Sequence, residues 1–198
     1  MKRKLFLLLV IFLNIGFIHA QNIDSLKTQV WSKNKEHSAD AAINLGNYYL
    51  LLNLDSAQKY ANTALTLIEK DNLLKFKYSV NNLQGNIYEN YGLVDSAMVF
   101  YKKALESALN EKSKKRLAGI SNNIGRIYKK KLLYDSSDKY YQKALELNKE
   151  IKDSINLGIV LNNIGNLNSE LANYSVALVY LTQAGDIFEY IRNYNYAS

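Results

Sequence analysis

The sequence contains no cysteine and no proline, and it has only two histidines, His19 and His37. Without cysteine the chain can form neither a disulfide nor a thiolate metal site. Only one histidine follows residue 20, too few for a common zinc site, and that histidine has no cysteine to activate. The glycines are scattered singly, so no glycine-rich phosphate loop is present. These absences predict a protein that is not an enzyme and that carries neither a metal nor a cofactor.

The sequence also lacks the usual marks of a boundary between domains. Residues 21–198 contain no proline, no Gly/Ser-rich linker and no long apolar run. Since domain boundaries usually fall in such linkers, we predict one folded domain after a short leader. A chain of this length can rely on a core of ordinary apolar residues and needs no disulfides.

The N-terminus has the layout of a secretory signal peptide. Lys2, Arg3 and Lys4 precede an apolar run from Leu5 to Ile18, and small Ala20 follows. The run is shorter than the roughly 20 apolar residues that span a bilayer. We therefore expect residues 1–20 to be removed and the protein to be exported to the periplasm, with an uncleaved membrane anchor as the alternative.

Much of the positive charge belongs to this segment. The formal net charge of the chain is +7, and three of its 25 basic residues precede Leu5. The remaining charge of +4 is small and both signs are mixed along the chain, a pattern that does not favour nucleic acid as a partner.

A 40-residue period dominates the rest of the sequence. The residues that recur at this spacing include the sets Gly85, Gly125 and Gly165; Ala104, Ala144 and Ala184; Tyr88 and Tyr128; and Tyr101 and Tyr141. An earlier, slightly irregular copy contains Gly46, Asp55, Ala57 and Ala64. A fixed period of this size predicts stacked copies of one structural unit, since a single copy cannot bury its own apolar face.

Each repeat is predicted to contain two amphipathic helices. In the third copy the first helix spans about residues 113–131, with an apolar stripe at a spacing of three to four residues. The second is predicted to open at Asp135 as its N-cap, with Asp55, Asp95 and Ser175 as equivalent caps, and to end near Ile151. Small Gly125 is expected where two helices approach closely, beside a bulky tyrosine.

The segments LQGNIYENYGLVDSAMVFYKKALESA and NNIGRIYKKKLLYDSSDKYYQKALEL resemble tetratricopeptide repeats, through their Gly, Tyr and Ala series. The resemblance implies an all-α, right-handed superhelical solenoid of about four helix pairs, at residues 37–73, 74–113, 114–153 and 154–198. The period exceeds the usual 34 residues, the closing proline is missing, and Asn168 replaces a tyrosine. HEAT and armadillo repeats are the competing assignment, but they lack this series.

The combination of a signal peptide, a short first repeat and 40-residue repeats is similar to the exported sensory region of bacterial histidine kinases and helix-turn-helix regulators. This resemblance implies a periplasmic sensory module of a membrane-anchored signalling protein. The next repeat glycine would fall beyond Ser198, and the last segment is rich in aromatic residues. We therefore expect a truncated last repeat and a longer native protein. The alternative is a self-contained exported adaptor, whose aromatic terminus folds back or pairs with a second copy.

The first helices of such arrays line a concave face that holds a protein or an extended peptide. Asparagine recurs there, and its amide can both donate to and accept from a peptide backbone. Nearby basic residues could bind a carboxylate. The candidate ligand-binding residues are Asn82, Asn86, Asn122, Asn123, Arg126, Lys129, Lys130, Asn162, Asn163 and Asn166. The alternative is that these side chains are only a solvated helix surface.

The single tryptophan, Trp31, lies in a predicted leader helix over residues 21–36. We expect its ring to pack this helix against the first repeat.

Overall fold

The structure is a computed structural model that describes residues 22–197; the predicted signal peptide lies outside this range. Within it the chain forms nine α-helices and no strand, which confirms the all-α class. The helices are α1 (22–29), α2 (Lys35–Tyr49), α3 (Leu54–Lys70), α4 (Lys77–Asn90), α5 (Val94–Asn110), α6 (Lys114–Lys130), α7 (Tyr134–Glu150), α8 (Ser154–Glu170) and α9 (Tyr174–Ala197). No helix of the described part is long and apolar enough to cross a membrane.

The chain divides into two compact units, and the division falls within α4, after Leu83. In the first unit α2 packs against α3. The core of this unit contains Leu45, Ala64, Ile68 and Val80, and Ile23 and Leu26 of α1 pack against it. The leader is therefore docked through aliphatic side chains.

The prediction for Trp31 is wrong. Trp31 follows α1 in a turn and is 81% exposed, whereas its neighbour Val30 is 4% exposed. Because the chain turns after residue 29, Val30 is directed into the core and the indole is directed to solvent.

In the second unit the helices form pairs joined by short turns. α6 packs against α7 and α8 against α9, while α5–α6 and α7–α8 contacts connect successive pairs. We call α4, α6 and α8 the first helices, and α5, α7 and α9 the second helices. The two helices predicted for the third copy are present, at Lys114–Lys130 and Tyr134–Glu150.

The recurring glycines mark close helix contacts, as predicted. A Cβ added at Gly85 would lie 2.4 Å from the Tyr101 ring, and one added at Gly125 would lie 2.6 Å from the Tyr141 ring. Both tyrosines are fully buried. The small residue of each first helix therefore makes room for the tyrosine of the second helix, and the 40-residue period repeats this contact.

The turns repeat with the same period. The second residue after the end of each helix from α3 to α8 has a positive φ, between 51° and 76°: Asn72, Gly92, Lys112, Leu132, Lys152 and Ala172. The next backbone N–H then donates to the carbonyl five residues earlier, as from Leu133 to Tyr128 (3.0 Å) and from Asp153 to Asn148 (3.0 Å). This is the Schellman pattern, which satisfies carbonyl groups at the helix end. Only Gly92 adopts this left-handed backbone without a steric cost.

The predicted caps of the second helices are wrong. α7 begins at Tyr134 with Leu133 as its N-cap, and Leu133 makes no side-chain cap, so Asp135 is the second helical residue. Asp55 and Asp95 likewise lie in the first turns of α3 and α5, and Ser175 is the second residue of α9. The tight turn leads directly into the helix. The aspartates therefore lie in the first turn, where a negative charge interacts favourably with the helix dipole, and they are not N-caps.

Candidate functional site

Two of the predicted asparagines hold neighbouring first helices together. Nδ2 of Asn163 on α8 donates to Oδ1 of Asn122 on α6 at 2.8 Å. Asn122 is only 8% exposed. The Asn122 carbonyl oxygen is thus already used within the protein, and the bond fixes the register of α6 against α8.

Two other predicted asparagines present their amides outward. Asn162 is half-buried and Asn166, one turn further along α8, is exposed. Neither side-chain amide hydrogen-bonds to another residue of the range 22–197. Each therefore keeps a donor group and an acceptor available on the face beside the α6–α8 contact.

The remaining asparagines differ from one another. Asn82 lies on the part of α4 that belongs to the first unit and is half-buried. Asn86, one turn further along α4, belongs to the second unit, and its Oδ1 is 2.7 Å from the Tyr101 hydroxyl. Asn123 is also half-buried and makes contacts of its own. The structure therefore does not show one row of equivalent amides.

The three predicted basic residues all contact carboxylates of the chain itself. Arg126 binds Glu89 in bidentate fashion, with Nε 3.1 Å from Oε1 and Nη2 2.5 Å from Oε2. Lys130 Nζ lies 2.9 Å from Oε1 of the same residue, and Lys129 Nζ lies 2.8 Å from Oε1 of Glu170. These pairs join α4 to α6, and α6 to α8.

Glu89 is the centre of a mostly buried polar cluster. Its side chain is 7% exposed, and its Oε2 also lies 2.7 Å from the Tyr101 hydroxyl. A phenol has one proton, and we assign that proton to the Glu89 carboxylate, the more strongly attracting acceptor. Burial alone raises the pKa of Glu89, but the hydrogen bonds and charge of Arg126, with bonds from Lys130 and Tyr101, hold it below its ordinary value of 4.5.

Tyr101 responds to the same surroundings. Burial and the adjacent negative charge of Glu89 raise the pKa of its hydroxyl far above the ordinary value of 10.0. The phenol therefore keeps its proton and acts as a donor at neutral pH. Together with Arg126 and Lys130 it keeps the carboxylate ionised.

The second ion pair is the first one with its charges exchanged. Glu89 on α4 binds Lys130 on α6, whereas Lys129 on α6 binds Glu170 on α8, and both pairs have a sequence separation of 41. Asn122 and Asn163 share this separation. The two ion pairs therefore occupy one position of the repeat with opposite polarity, and the asparagine pair joins α6 and α8 two turns earlier.

The local charge balance remains positive. Three cations, Arg126, Lys129 and Lys130, face two carboxylates, Glu89 and Glu170. The side chains of Arg126 and Lys130 are 34% and 44% exposed. A surface of this kind can offer amide hydrogen bonds from α8 and a weak attraction for negative charge from α6.

Sequence reasoning missed Glu89. Its signal is a break in the repeat, because Lys129 and Ser169 occupy the equivalent positions 40 and 80 residues later. An acidic residue directly after Tyr88, near the buried face of a first helix, required a cationic partner. No group of acidic residues or histidines in the range 22–197 has the arrangement of a metal site.

Two sequence models of the tetratricopeptide repeat family match the chain, one over residues 78–111 and the other over residues 116–189. No curated protein is significantly similar to the chain in sequence.

Three solved structures share the fold. The chain is 22% identical to a Signal Transduction ATPase with Numerous Domains (STAND) protein with a tetratricopeptide repeat sensor, from Pyrococcus horikoshii, with a TM-score of 0.74 over 93% of this chain and 30% of that protein. It is 20% identical to the apo form of RapI, with a TM-score of 0.72, covering 92% of this chain and 67% of RapI. It is 18% identical to BtubC from P. vanneervenii, with a TM-score of 0.53, covering 82% of this chain and 73% of BtubC. The chain thus spans about a third of the STAND protein.

Proposed function

Because residues 78–111 and 116–189 are tetratricopeptide repeats, we propose that this chain is a non-catalytic scaffold that binds a protein or an extended peptide. Repeats of this family generally serve protein–protein interaction. The observation that carries the proposal is the pair of amides, Asn162 and Asn166, that no other residue in the range 22–197 occupies.

The two amides suit a peptide main chain. They lie one helical turn apart on α8, and each offers both a donor and an acceptor, which are the groups that recognise a backbone without reading its sequence. The Asn122–Asn163 bond holds α6 beside them, and one turn further along α6 stands Arg126. We expect a bound peptide to run across α8 and α6, with an acidic residue near Arg126 and Lys130.

The test is selection of a random peptide library on the wild-type chain and on two double variants. Asn162→Ala/Asn166→Ala removes both outward amides, and we expect it to lose the enriched peptides. Thr182→Ala/Gln183→Ala changes two exposed polar residues of α9 and serves as the matched control. Equal enrichment by all three chains, with circular dichroism showing intact helices, would place the binding surface elsewhere.

We further propose that the scaffold is the periplasmic sensory module of a membrane-anchored signalling protein. The signal-peptide pattern of residues 1–20 and the resemblance to exported sensory regions support this role, as does a structural neighbour whose own tetratricopeptide repeats are described as a sensor. A bound partner would alter the stacking of the repeats and so bias an attached output domain. The alternative is a self-contained exported adaptor.

Two measurements separate these possibilities. Intact mass and N-terminal sequence of the protein from a periplasmic extract test export, and a mature chain that begins at Gln21 is the expected result. The native gene beyond codon 198 tests the sensor role. A further apolar span of about 20 residues followed by an output domain is expected of a sensor, while a stop codon after Ser198 would favour the adaptor.

A further inference from the structure

The second unit has two edges that differ in charge. The α5–α6 and α7–α8 turns lie together at one edge, since Lys114 at the start of α6 forms an ion pair with Glu150 at the end of α7. We call residues 109–116 and 149–156 the basic edge. They contain three acidic residues and six basic ones, a net charge of +3: Lys112, Lys114, Lys115, Arg116, Lys149 and Lys152.

The opposite edge is electrically balanced. It comprises residues 89–96 and 129–136, around the α4–α5 and α6–α7 turns, and contains three basic and three acidic residues. Each of its lysines forms an ion pair within the chain: Lys129 with Glu170, Lys130 with Glu89, and Lys131 with Asp95. The positive charge of the second unit is therefore concentrated at one edge.

Most lysines of the basic edge are available to a partner. Four of them are exposed and form no ion pair with another residue of the range 22–197: Lys112, Lys115, Lys149 and Lys152. Lys112 and Lys152 stand at the tips of the two turns, with φ of 51° and 55°. Their ammonium groups can therefore reach a charged surface that approaches this edge.

The charges at the start of α6 are unfavourable for the helix itself. Residues 114–116 are all cations in its first turn, where the helix dipole repels positive charge. The equivalent turn of α8, residues 154–156, has no charge, so the fold does not require cations at this position. The carboxylates of Glu150 and Glu111 offset two of the three charges, and Lys115 is left without an ion pair. A local cost of this kind is typical of a functional surface.

Exposed apolar side chains flank these cations. Leu109 near the end of α5 is 56% exposed, and Ile155 in the first turn of α8 is 57% exposed. Surfaces that combine apolar and cationic side chains bind membrane interfaces, because the apolar groups enter the headgroup layer while the cations stay at the lipid phosphates.

The kind of cation also favours lipid over an acidic protein. Five of the six basic residues are lysine. Arginine has a planar fork that suits a carboxylate of fixed geometry, whereas the lysine ammonium is a point charge on a flexible stem. Point charges spread over two turns fit a layer of phosphate groups, which requires no fixed geometry.

We propose that the basic edge binds the surface of an anionic phospholipid membrane. This role is separate from peptide binding, which the proposed function assigns to Asn162 and Asn166 further along α8, and either role can fail without the other.

Co-sedimentation with vesicles tests the proposal on the chain that begins at Gln21, which contains all nine helices of the described range. We expect binding to vesicles that contain phosphatidylglycerol, and at least about tenfold weaker binding to phosphatidylcholine alone. The binding should fall when salt is raised from about 0.05 M to about 0.5 M, because salt screens exposed charges.

Two triple variants locate the contact. Lys112→Gln/Lys149→Gln/Lys152→Gln removes three cations of the basic edge and should weaken binding to phosphatidylglycerol vesicles by at least about tenfold. The matched control makes the same change in net charge at exposed lysines of α3, α5 and α7 and should bind like the wild type: Lys59→Gln/Lys102→Gln/Lys139→Gln. Circular dichroism checks that both variants keep their helices.

A fluorescent probe fixes the orientation, because the chain has no native cysteine. A polarity-sensitive dye is attached to Ile155→Cys at the basic edge or to Leu132→Cys at the opposite edge, where Leu132 is 68% exposed. With phosphatidylglycerol vesicles the emission should shift to the blue for the first dye and stay unchanged for the second.

Several outcomes would overturn the proposal. They are a wild type that does not bind phosphatidylglycerol vesicles, equal losses of binding in the two triple variants, and equal spectral shifts of the two dyes. A wild type that ignores vesicles but binds polyglutamate through the three edge lysines would replace the membrane with an acidic protein partner.

Discussion

Tyr101 and Tyr141 occupy the same position in successive repeats, yet their hydroxyl groups have different surroundings. Both rings are fully buried against the glycine of the preceding helix. The Tyr101 hydroxyl contacts Glu89 and Asn86, whereas the Tyr141 hydroxyl has no hydrogen-bond partner among the described residues. Ser137, on the same helix as Tyr141, gives its proton to the Gly125 carbonyl oxygen at 2.9 Å. The repeat therefore specifies the packing of the ring but not the bonding of its hydroxyl.

The two hydroxyl groups differ in their surroundings because two residues of the first helix differ between the repeats. At the positions of Asn86 and Glu89 the next repeat has Arg126 and Lys129, and these are engaged by Glu89 and Glu170. Burial raises the pKa of Tyr141 to about 12. The second and third repeats thus share a core shape, while only the second has a polar cluster that anchors it.

The largest expected effect comes from removing the centre of this cluster. Glu89→Ala leaves Arg126, Lys130 and the Tyr101 hydroxyl without their acceptor. We expect the free energy of unfolding to fall by about 2–3 kcal/mol, below the ~3–5 kcal/mol for a fully buried pair because both cations are partly exposed. Urea denaturation measures it. Glu170→Ala, whose side chain is 45% exposed, is the control and should cost at most about 1 kcal/mol.

The same carboxylate gives a signature in pH. The pKa of Glu89 is lower in the folded chain than its ordinary value of 4.5. Its contribution to the free energy of unfolding is therefore complete above pH 4.5 and is lost as the pH falls through the folded pKa. Glu89→Gln should therefore flatten the acid limb of a plot of stability against pH. An unchanged acid limb would show that Glu89 does not carry this linkage.

A second comparison uses the two glycines. Gly85→Ala and Gly125→Ala each place a methyl group against a tyrosine ring, at 2.4 Å and 2.6 Å. The Tyr101 ring is held at its hydroxyl by Glu89 and Asn86, whereas no hydrogen bond to a described residue holds the Tyr141 ring. We expect losses of about 2–3 kcal/mol for Gly85→Ala and about 1–2 kcal/mol for Gly125→Ala, by overpacking. Equal losses in thermal or urea unfolding would contradict the role of the hydroxyl as an anchor.

A smaller effect is expected from the hydroxyl groups themselves. Tyr101→Phe should cost about 1–2 kcal/mol, since Glu89 loses a donor. Tyr141→Phe removes a buried group that has no partner and should be neutral or stabilising by up to about 1 kcal/mol. Urea denaturation of both variants provides the measurement. A clear loss in Tyr141→Phe would reveal a bond to that hydroxyl.

The smallest expected effect lies in the turns, where Gly92 and Leu132 are equivalent. Leu132 has a φ of 60° and its side chain is 68% exposed. Leu132→Gly should raise the free energy of unfolding by about 0.5–1 kcal/mol, because the left-handed backbone then carries no Cβ. The reciprocal change, Gly92→Leu, should lower it by about 1 kcal/mol. If differential scanning calorimetry moves both variants in the same direction, the turn backbone does not decide these energies.

The fold was largely predictable because packing follows the period. The Gly85–Tyr101 and Gly125–Tyr141 contacts, and the bounds of α6 and α7, follow from the spacing of small and large residues. The predicted cap at Asp135 was wrong because the residue that caps a helix depends on the backbone of the preceding turn. Trp31 was misplaced for a similar reason, since a turn after residue 29 decides which side chain faces the core.

The candidate site was less predictable, because its chemistry lies in departures from the period. Asn122 and Asn162 occupy the same repeat position and Asn163 the next one, but Asn122 and Asn163 bind each other while Asn162 is half-buried without such a bond. The periodicity of the sequence identifies the helix face on which a residue lies, but it does not identify the residue that it contacts on the neighbouring helix. The predicted role of these asparagines and of Arg126, Lys129 and Lys130 in ligand binding stays a prediction.

The exchanged ion pairs also bear on how the array assembles. Successive repeats are similar enough that, during folding, one first helix could dock beside the wrong neighbour. In the native order Glu89 meets Lys130, and Lys129 meets Glu170. If the third repeat were skipped, Glu89 would lie opposite Glu170, and two carboxylates would be brought together where the native order has opposite charges. The alternation of charge therefore disfavours misordered stacking and domain-swapped copies, because each would bring like charges together.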